Sequence, residues 1–354
     1  MNRKIVDRPT ITQVAELAKV SIATASRVLS NNGYPVNIKT RQRILETADR
    51  IQYIYSTDKM KKNKINESKS IGMIIPTITN QFYQQAILGI QSELELHSAN
   101  LRLYISFHSE QKEEAYLQQL YKDNVNGVII SSMFQNSEKI NHFREKGMII
   151  TMLDQIISTD DEWTHITFDH VHASELAVNY LVEKNHEQIA FVSSPLKRWT
   201  RKCVFEGFKQ GLRNNGLVFD GNNIYIIDSE KETTEFSLGY EFQAGFETAE
   251  RFVKKNTGAT AIVIINDMMA MGFIKGLMHS GVRVPEDISV ISFDNIPFAE
   301  MFSPALTTIH CPAKEMGQIA AKLLLNKLTN DTQASVRVKL EPRLVVRESV
   351  KDRR

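Results

Sequence analysis

The first clear pattern of apolar and polar positions lies in residues 10–30 and predicts two short helices joined by a turn. Thr10 and Gln13 have the spacing of a capping box, in which each side chain bonds a backbone N–H of the other residue. The first helix then has an apolar face at helical spacing. The residues of this face, which we expect to be buried, are Val14, Leu17 and Ala18.

The second helix has an exposed beginning and an apolar face, and Ser21 is a suitable N-cap for it. Its predicted buried positions are Ala25, Val28 and Leu29. Its predicted exposed positions near the N-terminus are Ile22, Ala23, Ser26 and Arg27. A third helix, capped by Asn37, completes the unit. Because recognition helices direct their N-terminal residues into the major groove, the stretch predicts a helix-turn-helix that reads DNA.

Charge distinguishes this unit from a purely structural helical bundle, which is the alternative that three short helices leave open. Residues 1–64 hold 13 Lys and Arg but only 5 Asp and Glu, a net charge of +8, whereas the whole chain has a net charge of +2. Residues 65–354 are therefore acidic, with 30 basic and 36 acidic side chains. A basic unit attached to an acidic body indicates a nucleic-acid-binding module.

Beyond residue 70, short apolar runs alternate with helical stretches. The runs predicted to be strands are 70–76, 101–107, 127–132, 148–154, 165–169, 188–194, 223–228, 260–267 and 287–294. The stretches predicted to be helices are 82–98, 110–122, 171–184, 202–215, 238–254 and 268–280. Such alternation predicts parallel sheets covered by helices, and about ten strands are divided more easily between two sheets than packed into one. The predicted fold class is α/β, with an all-α helix-turn-helix domain followed by two doubly wound parallel-sheet subdomains.

The composition argues against several other classes of protein. The longest apolar runs are too short to span a bilayer, and the N-terminus lacks the apolar segment of a signal peptide. The two cysteines, Cys203 and Cys311, suit a reducing compartment and offer no metal cluster. Because the chain has no phosphate-binding glycine loop, catalytic serine motif or zinc motif, we expect neither a cofactor nor a metal.

Carboxylates follow four of the predicted strands, at Asp154, Asp169, Asp267 and Asp294. Ligands of open parallel sheets bind beyond the carboxyl ends of the strands, so these groups suit either catalysis or the orientation of a ligand. No evident nucleophile, metal motif or general base accompanies them. We therefore interpret them as ligand-orienting groups and predict that the protein is not an enzyme.

Over nearly its full length the chain resembles the LacI/GalR family of bacterial transcription regulators. The segments that carry the resemblance are VAELAKVSIATASRVLS in the head, VIINDMMAMG (263–272) and VPEDISVISFDNIPFAEMFSPALTTIHCPAKEMGQIAAKLLL (284–325). The resemblance implies a periplasmic-binding-protein-like core whose two subdomains close on a small effector. It divides the chain into a DNA-binding domain, a Lys-rich linker, a core N-subdomain and a core C-subdomain. Their boundaries are 1–58, 59–69, 70–166 with 310–332, and 167–309 with 333–354 respectively.

The resemblance also implies which head residues contact DNA. It assigns base reading to Ile22, Ala23 and Arg27. Arg27 can bond a guanine edge through two parallel hydrogen bonds, whereas the other two offer apolar contact, for instance to a thymine methyl. The residues predicted to contact the DNA backbone are Thr24, Ser26, Asn37 and Thr40. Thr10 and Lys62 complete the predicted DNA-contacting set.

In the core, the resemblance implies an effector cleft. Phe82 and Tyr83 match the family's aromatic pair, which can stack on the apolar face of a ring. Asp294 matches the hydrogen-bond acceptor that most members use. The remaining predicted effector-binding residues are Asp154, Asp169, Arg198, Thr200 and Asn266. Carboxylate and guanidinium groups are suited to bidentate bonds with ring hydroxyls or amides.

The chain departs from the family's pattern in three places. Val204 stands where many members have a cleft arginine, and Thr234 stands at the family's aromatic position. Lys62 stands where a hinge leucine kinks DNA, so we expect weaker bending and a greater contribution from charge. Lys19 occupies a turn position that is usually glycine, at a cost of about 1 kcal/mol if that position needs a positive φ.

These observations predict a cytoplasmic, DNA-binding transcriptional repressor controlled by a sugar or sugar derivative. We expect a homodimer on a pseudo-palindromic double-stranded operator, because the chain lacks the C-terminal leucine heptad through which some members form tetramers. Two alternatives stay open: a catabolite-control-type regulator that uses a phosphorylated carrier protein as corepressor, and a regulator with a purine-type effector. The basic head argues against a fourth class of protein, the solute-binding protein of a transporter.

Overall fold

In the computed structural model, three helices are followed in the sequence by two six-stranded sheets and the helices that cover them. The structure describes residues 10–29, 36–51, 53, 69–134, 138–156, 163–227, 239–330 and 334–354. The chain divides into two compact units, Met1–Ser68 and Lys69–Arg354. The predicted fold class, a helix-turn-helix domain followed by two parallel-sheet subdomains, is confirmed.

The first unit contains helices α1 (Ile11–Leu17), α2 (Ile22–Leu29) and α3 (Ile38–Arg50). Its buried residues include Val14, Ala15 and Ala18 from α1, and every residue predicted to be buried in α2. The prediction for Leu17 is wrong, because this side chain is 51% exposed and Ala15 is buried in its place. One face of a helix can hold either residues 14, 17 and 18 or residues 14, 15 and 18, so periodicity alone could not choose between the two sets.

The first sheet, with the helices that cover it, forms the N-subdomain. Its strands are β1 (Ser70–Ile75), β2 (Asn100–Ile105), β3 (Gly127–Ile130), β4 (Ile149–Leu153), β5 (Thr164–Phe168) and β11 (Arg337–Leu340). They are all parallel and lie in the order β11-β5-β4-β3-β1-β2. The helices of this subdomain are α4 (Gln81–Leu96), α5 (Glu110–Lys122), α6 (Glu138–Glu145) and α12 (Ala313–Asn330).

The second sheet belongs to the C-subdomain and has the order β12-β10-β9-β8-β6-β7. Its strands are β6 (Ile189–Ser193), β7 (Ile224–Ile226), β8 (Ala261–Ile264), β9 (Ser289–Asp294), β10 (Thr307–His310) and β12 (Arg343–Val345). Only β12 runs antiparallel to its neighbour among these strands. The helices are α7 (His170–Glu183), α8 (Trp199–Asn214), α9 (Tyr240–Lys255), α10 (Asp267–His279) and α11 (Pro297–Met301).

The chain passes between the two subdomains three times. The first passage follows β5, the second joins β10 to α12, and the third is the Glu341-Pro342 pair between β11 and β12. The assignment of residues 333–354 wholly to the C-subdomain is therefore wrong, because β11 pairs with β5 in the N-subdomain. An edge strand is fixed by backbone hydrogen bonds, and its side-chain pattern does not reveal which of two sheets it joins.

Glycines allow paired helices of the core to pack closely. A Cβ atom at Gly89 of α4 would meet the carbonyl oxygen of Lys314, and a Cβ atom at Gly317 of α12 would meet the carbonyl oxygen of Ala86. The two helices thus approach until backbone touches backbone. None of the described helices is both long and apolar enough to cross a membrane.

Candidate functional site

Helix α2 presents an exposed surface, which we call the reading face and define as Ile22, Ala23, Ser26 and Arg27. The Ser21 hydroxyl caps the helix, since it accepts a hydrogen bond from the backbone N–H of Thr24 at 3.1 Å. Ala25 and Val28 are fully buried on the opposite side, and Ile22 is 50% exposed. Burial of one side of α2 therefore turns the predicted base-reading side chains toward solvent.

The residues predicted to contact the DNA backbone lie at or near helix starts. Asn37 is exposed, and its Oδ1 accepts from the Lys39 N–H at 2.9 Å. Thr10 forms the predicted capping box, in which its own N–H donates to Gln13 Oε1 at 2.8 Å. The half-buried residues of the set are Thr24, whose Oγ1 lies 2.8 Å from Ser21 Oγ, and Thr40. Lys62 and Thr234 lie outside the described residues.

The turn between α1 and α2 places Lys19 at a φ of 52°. Its N–H donates to the carbonyl of Glu16 at 3.1 Å, which closes the end of α1. A residue with a Cβ in this region is strained by about 1 kcal/mol relative to glycine. The turn therefore has the positive φ on which the predicted cost of Lys19 depends.

A cavity between the two core subdomains, which we call the inner cleft, has a volume of about 80 Å³. Seven of the eight predicted effector-binding residues line it: Phe82, Tyr83, Asp154, Arg198, Thr200, Asn266 and Asp294. The structure adds residues that were not predicted, among them Asn80, His170, Arg201, Glu241 and Cys311. Side chains that are far apart in sequence thus meet around one space.

An aromatic and cationic wall lines one side of the inner cleft. Phe82 and Tyr83, in the first turn of α4, pack edge to face with ring centroids 5.1 Å apart. The guanidinium of Arg198, from the other subdomain, lies 5.7 Å from the centroid of the Tyr83 ring. Arg198 Nη2 donates to Ser131 Oγ at 3.2 Å, and the Tyr83 hydroxyl lies 3.0 Å from the same oxygen. Burial raises the pKa of Tyr83, so its hydroxyl keeps its proton.

A buried carboxyl supports this wall from behind. Glu113 of α5 is fully buried. Its Oε2 accepts from Ser132 Oγ at 2.7 Å, and its Oε1 accepts from the Met133 N–H at 2.8 Å. Burial raises the pKa of Glu113 to about 7. Glu113 therefore fixes the loop after β3, in which Ser131 lies, through hydrogen bonds to both side chain and backbone.

Asp154 and His170 form a polar contact across the inner cleft. Asp154 follows β4 of the N-subdomain, and His170 is the first residue of α7 in the C-subdomain. His170 Nε2 lies 2.8 Å from Asp154 Oδ1. Asp154 has a φ of 56°, a conformation that costs about 1 kcal/mol or more and is often found at functional sites. The contact provides a second link between the subdomains beside Arg198.

Glu241 forms a third link. Its Oε1 accepts from Asn266 Nδ2 at 2.8 Å within the C-subdomain and from Asn80 Nδ2 at 3.3 Å in the N-subdomain. The amide oxygens of the same two asparagines cap α10 and α4. Because an asparagine side chain both donates and accepts, each residue begins a helix and contributes to the cleft at once. Glu241 therefore joins the starts of two helices from different subdomains.

Asp294 differs from the other carboxylates of the inner cleft. It ends β9 with a φ of 107°, and no described residue donates a hydrogen bond to its side chain. Burial raises its pKa well above the usual value, and the charges of Asp267, Glu241 and Asp154 raise it further. The Asp294 carboxyl is only half-buried and lines the cavity, so it is free to accept a hydrogen bond from a ligand hydroxyl or amine there.

Two strand-end carboxylates have structural roles instead. The structure does not bring Asp169 into the inner cleft, because its Oδ1 caps α7 at the His172 N–H (3.1 Å) and its other oxygen pairs with Lys339. Asp267 is fully buried, and burial raises its pKa to about 6. The groups that donate to its carboxylate are Ser292 Oγ, Thr308 Oγ1 and the Ile296 N–H. No three metal-ligating side chains cluster within the described part of the chain.

Comparison with known proteins agrees with this arrangement of a reading face and a cleft. Residues 10–56 match the model of bacterial regulatory proteins of the lacI family, and residues 178–350 match a periplasmic binding protein-like domain. Catabolite control protein A of Priestia megaterium is 30% identical over 351 residues, which cover 97% of this chain and 99% of that protein.

Two further similarities come from a repressor sequence and a solved structure. The HTH-type transcriptional repressor PurR of Pasteurella multocida is 28% identical, with 97% of this chain and 99% of the relative covered. A crystal structure of a LacI family transcriptional regulator from Enterococcus faecium with bound ribose is 28% identical, has a TM-score of 0.70, and covers 81% of this chain and 100% of its own. These relatives are regulators of transcription, and the present chain belongs to the LacI family of DNA-binding transcriptional repressors with an effector-binding core.

Proposed function

We propose that the effector of this repressor is a sugar or sugar derivative, bound in the inner cleft, and that its binding changes the affinity of the head for an operator. The observation that carries the proposal is Asp294, a carboxyl to which no described residue donates a hydrogen bond and which lines the same cavity as Tyr83 and Arg198. Aromatic faces, carboxyl groups and a guanidinium together suit a ring with many hydroxyls. The Enterococcus faecium relative with bound ribose supports a sugar.

The contacts across the cleft let an effector act on the relative orientation of the two core subdomains. Arg198, His170 and Glu241 each reach a residue of the opposite subdomain. A ligand that bonds Asp294 and these side chains together stabilises one relative orientation of the subdomains over the other. An effector controls DNA binding only through such a difference in affinity between two states.

On the DNA side, we propose that the reading face enters the major groove, with Arg27 on a guanine edge and Ile22 and Ala23 against apolar base edges. Thr10, Thr24, Ser26, Asn37, Thr40 and Lys62 would hold the phosphate backbone. Two heads of a homodimer would then bind the two halves of a pseudo-palindromic operator, since half-site symmetry reflects the symmetry of the dimer. Because operators are chromosomal, we propose that the protein acts in the bacterial cytoplasm and that its function is regulation and not catalysis.

Two other effectors are outcomes that the binding and operator-affinity measurements below distinguish. A purine would bind the aromatic wall, as the name of the PurR relative suggests. A phosphorylated carrier protein would act as corepressor in a regulator of the catabolite-control type, which the Priestia megaterium relative suggests. The first would be detected as binding of nucleobases, and the second as a gain in operator affinity upon addition of the carrier protein alone.

The test measures thermal unfolding of the full chain against mono- and disaccharides, sugar phosphates and nucleobases. A ligand at 100 times its Kd should stabilise the protein by about 2.7 kcal/mol. Asp294→Asn should weaken the binding of that ligand at least about tenfold, because the amide replaces one acceptor oxygen by an NH2 donor and so loses one hydrogen bond to the ligand. Asp169→Asn is the matched control, since Asp169 also follows a strand but caps α7 outside the cleft.

The binding of the same ligand should change the affinity for operator DNA, measured by fluorescence anisotropy. If a sugar binds and Asp294→Asn does not weaken it more than Asp169→Asn does, the proposed site is wrong. If no sugar binds but a nucleobase or the carrier protein changes operator affinity, the proposed effector class is wrong.

A further inference from the structure

Lys19 is an exposed cation in the turn between α1 and α2. Both of its neighbours in sequence pack inward, since Ala18 is fully buried and Val20 contacts the apolar core of the head. Among the described residues, no hydrogen bond or ion pair involves the Lys19 side chain, and the exposed carboxylate of Glu16 does not pair with it. The ammonium group is thus available to a ligand of the head.

The turn lies directly before the helix that carries the reading face. Ser21 caps α2, and Ile22 begins both the helix and the reading face. Three residues of chain span at most about 11 Å, so Lys19 lies beside the N-terminal end of α2. A helix with its side chains is about 10–12 Å wide and the major groove is about 12 Å wide. A residue beside the start of a helix in this groove is therefore next to the phosphates of the groove wall.

The electrostatics at the start of α2 favour an anion. The N-terminal end of a helix has a partial positive charge, and no acidic residue lies in the first turn of α2, all of whose residues the structure describes. Lys19 adds a full positive charge beside this end. An ammonium group on a long, flexible stem can reach a phosphate oxygen and bond it as a point charge.

Lys19 does not stabilise the fold of the head. Its φ of 52° strains a residue with a Cβ atom by about 1 kcal/mol relative to glycine, and no bond of its side chain to a described residue offsets this cost. Strained residues persist most often where they have a function. A function in DNA binding is one that the side chain of Lys19 can serve and glycine cannot.

We propose that Lys19 is a further DNA-contacting residue, whose ammonium group binds a phosphate of the DNA backbone at the edge of the major groove. The contact is independent of base sequence, because phosphates carry no sequence information directly. The inference rests on the proposed entry of the reading face into that groove. It adds one phosphate contact for each head and two for a homodimer on its operator.

Fluorescence anisotropy of the full-length protein tests the proposal, on a duplex that the wild type selects from a random-sequence library and on a scrambled version of it. The Kd is measured between about 50 and 200 mM salt, because each phosphate contact contributes about −0.9 to the slope of log K against log[salt]. Lys19→Gln should reduce the magnitude of this slope by about 1.8 for the dimer and weaken binding to both duplexes at least about tenfold at about 0.1 M salt. Lys19→Arg keeps the charge and should retain the wild-type slope.

Two controls separate the phosphate contact from other effects of the substitution. Arg50→Gln also removes a positive charge from the head, but Arg50 is the exposed last residue of α3 and lies about 15 Å along that helix from Thr40. This distance exceeds the screening length of about 10 Å at 0.1 M salt, so the slope should change little. Lys19→Gly relaxes the backbone as well as removing the charge, and its slope should fall as it does for Lys19→Gln.

A slope for Lys19→Gln that equals the wild-type slope, or that falls no further than for Arg50→Gln, would overturn the phosphate contact. A wild-type slope for Lys19→Gly would overturn it as well. Arg27→Ala on the same two duplexes tests the entry of the reading face into the groove. If this variant prefers the selected duplex as strongly as the wild type does, the proposed docking is wrong, and so is the Lys19 contact that rests on it. If the preference is lost while Lys19→Gln keeps the wild-type slope, the docking stands and only the Lys19 contact is wrong.

Discussion

The imidazole of His170 contacts Asp154 across the cleft, with 2.8 Å between Nε2 and Oδ1. This contact joins the first residue of α7 in the C-subdomain to the residue after β4 in the N-subdomain. We expect His170→Ala to shift the protein toward an open core, and to weaken effector binding about three- to tenfold because a smaller fraction of molecules is competent to bind. Calorimetry measures the affinity, and small-angle scattering should give a larger radius of gyration.

The control for this prediction is His172→Ala on the same helix. His172 is exposed and lies 3.7 Å from Glu175 within its own helix, so it does not bridge the subdomains. Equal effects of the two substitutions would mean that His170 acts by stabilising α7 and not by holding the subdomains together.

Arg27 should determine which base is read at one operator position. Arg27→Lys keeps the charge but loses the fork of N–H donors, so we expect specific binding to weaken by about 1–3 kcal/mol and selectivity at that base pair to relax. Binding to unrelated DNA should stay nearly unchanged, because it depends on charge. Anisotropy titrations with operator and scrambled duplexes measure both constants. A parallel loss on both duplexes would assign Arg27 to the phosphate backbone.

Glu113 should make the protein less stable as the pH rises. Its pKa is raised by burial from 4.5 to about 7, so the folded state holds a proton that the unfolded state releases. This contribution is fully present below pH 4.5 and is lost as the pH rises through about 7, with an upper size on the order of 3 kcal/mol. Urea unfolding at pH 5 and pH 8 should show a smaller pH effect in Glu113→Gln than in the wild type. An identical pH effect in both proteins would contradict the assignment.

Lys19→Gly should stabilise the head. At a φ of 52°, glycine avoids the strain of a Cβ atom, and we expect a gain of about 1 kcal/mol in local stability. Hydrogen–deuterium exchange of the amides in α1 and α2 of the full chain measures that local free energy. Lys19→Ala is the control for loss of charge, since alanine keeps the Cβ atom and should bring no gain.

Gly317→Ala should destabilise the N-subdomain. The added methyl would collide with the carbonyl oxygen of Ala86, so α4 and α12 must move apart, at a cost of about 1–3 kcal/mol. Gly221→Ala has nothing within 4 Å of the new Cβ atom and should change stability by less than about 0.5 kcal/mol. Chemical unfolding of the two variants gives the comparison, and equal effects would show that α4 and α12 accommodate the added methyl without a packing cost.

Much of the fold could be predicted because buried parallel strands read as short apolar runs. Gly127–Ile130 and Ala261–Ile264, for example, are buried at every position. Two of the elements that were missed lack this signal, although the strand Thr307–His310 and the helix Ala313–Asn330, which were also missed, do have buried apolar positions. Helix Glu138–Glu145 is polar, with only Ile140 and Phe143 buried, and strand Arg337–Leu340 is an edge strand with two exposed positions. Such elements are held by contacts with distant parts of the chain, which a local pattern does not contain.

The same limit applies to the site. Asp169 and Asp294 have equivalent positions in the sequence, each at the end of a predicted strand. Only the tertiary structure distinguishes them, because Lys339 from a remote strand reaches the first and no described residue donates to the second. No sequence pattern marked Glu241 as a cleft residue, because its role depends on Asn80 and Asn266, which lie at the starts of α4 and α10.

The three passages of the chain between the subdomains restrict how the core can move. Three backbone connections side by side resist both separation and sliding, since each is short and one is only the Glu341-Pro342 pair. Bending about the line through the connections is the motion they oppose least. The main freedom that these connections leave to the core is therefore the angle between its two subdomains.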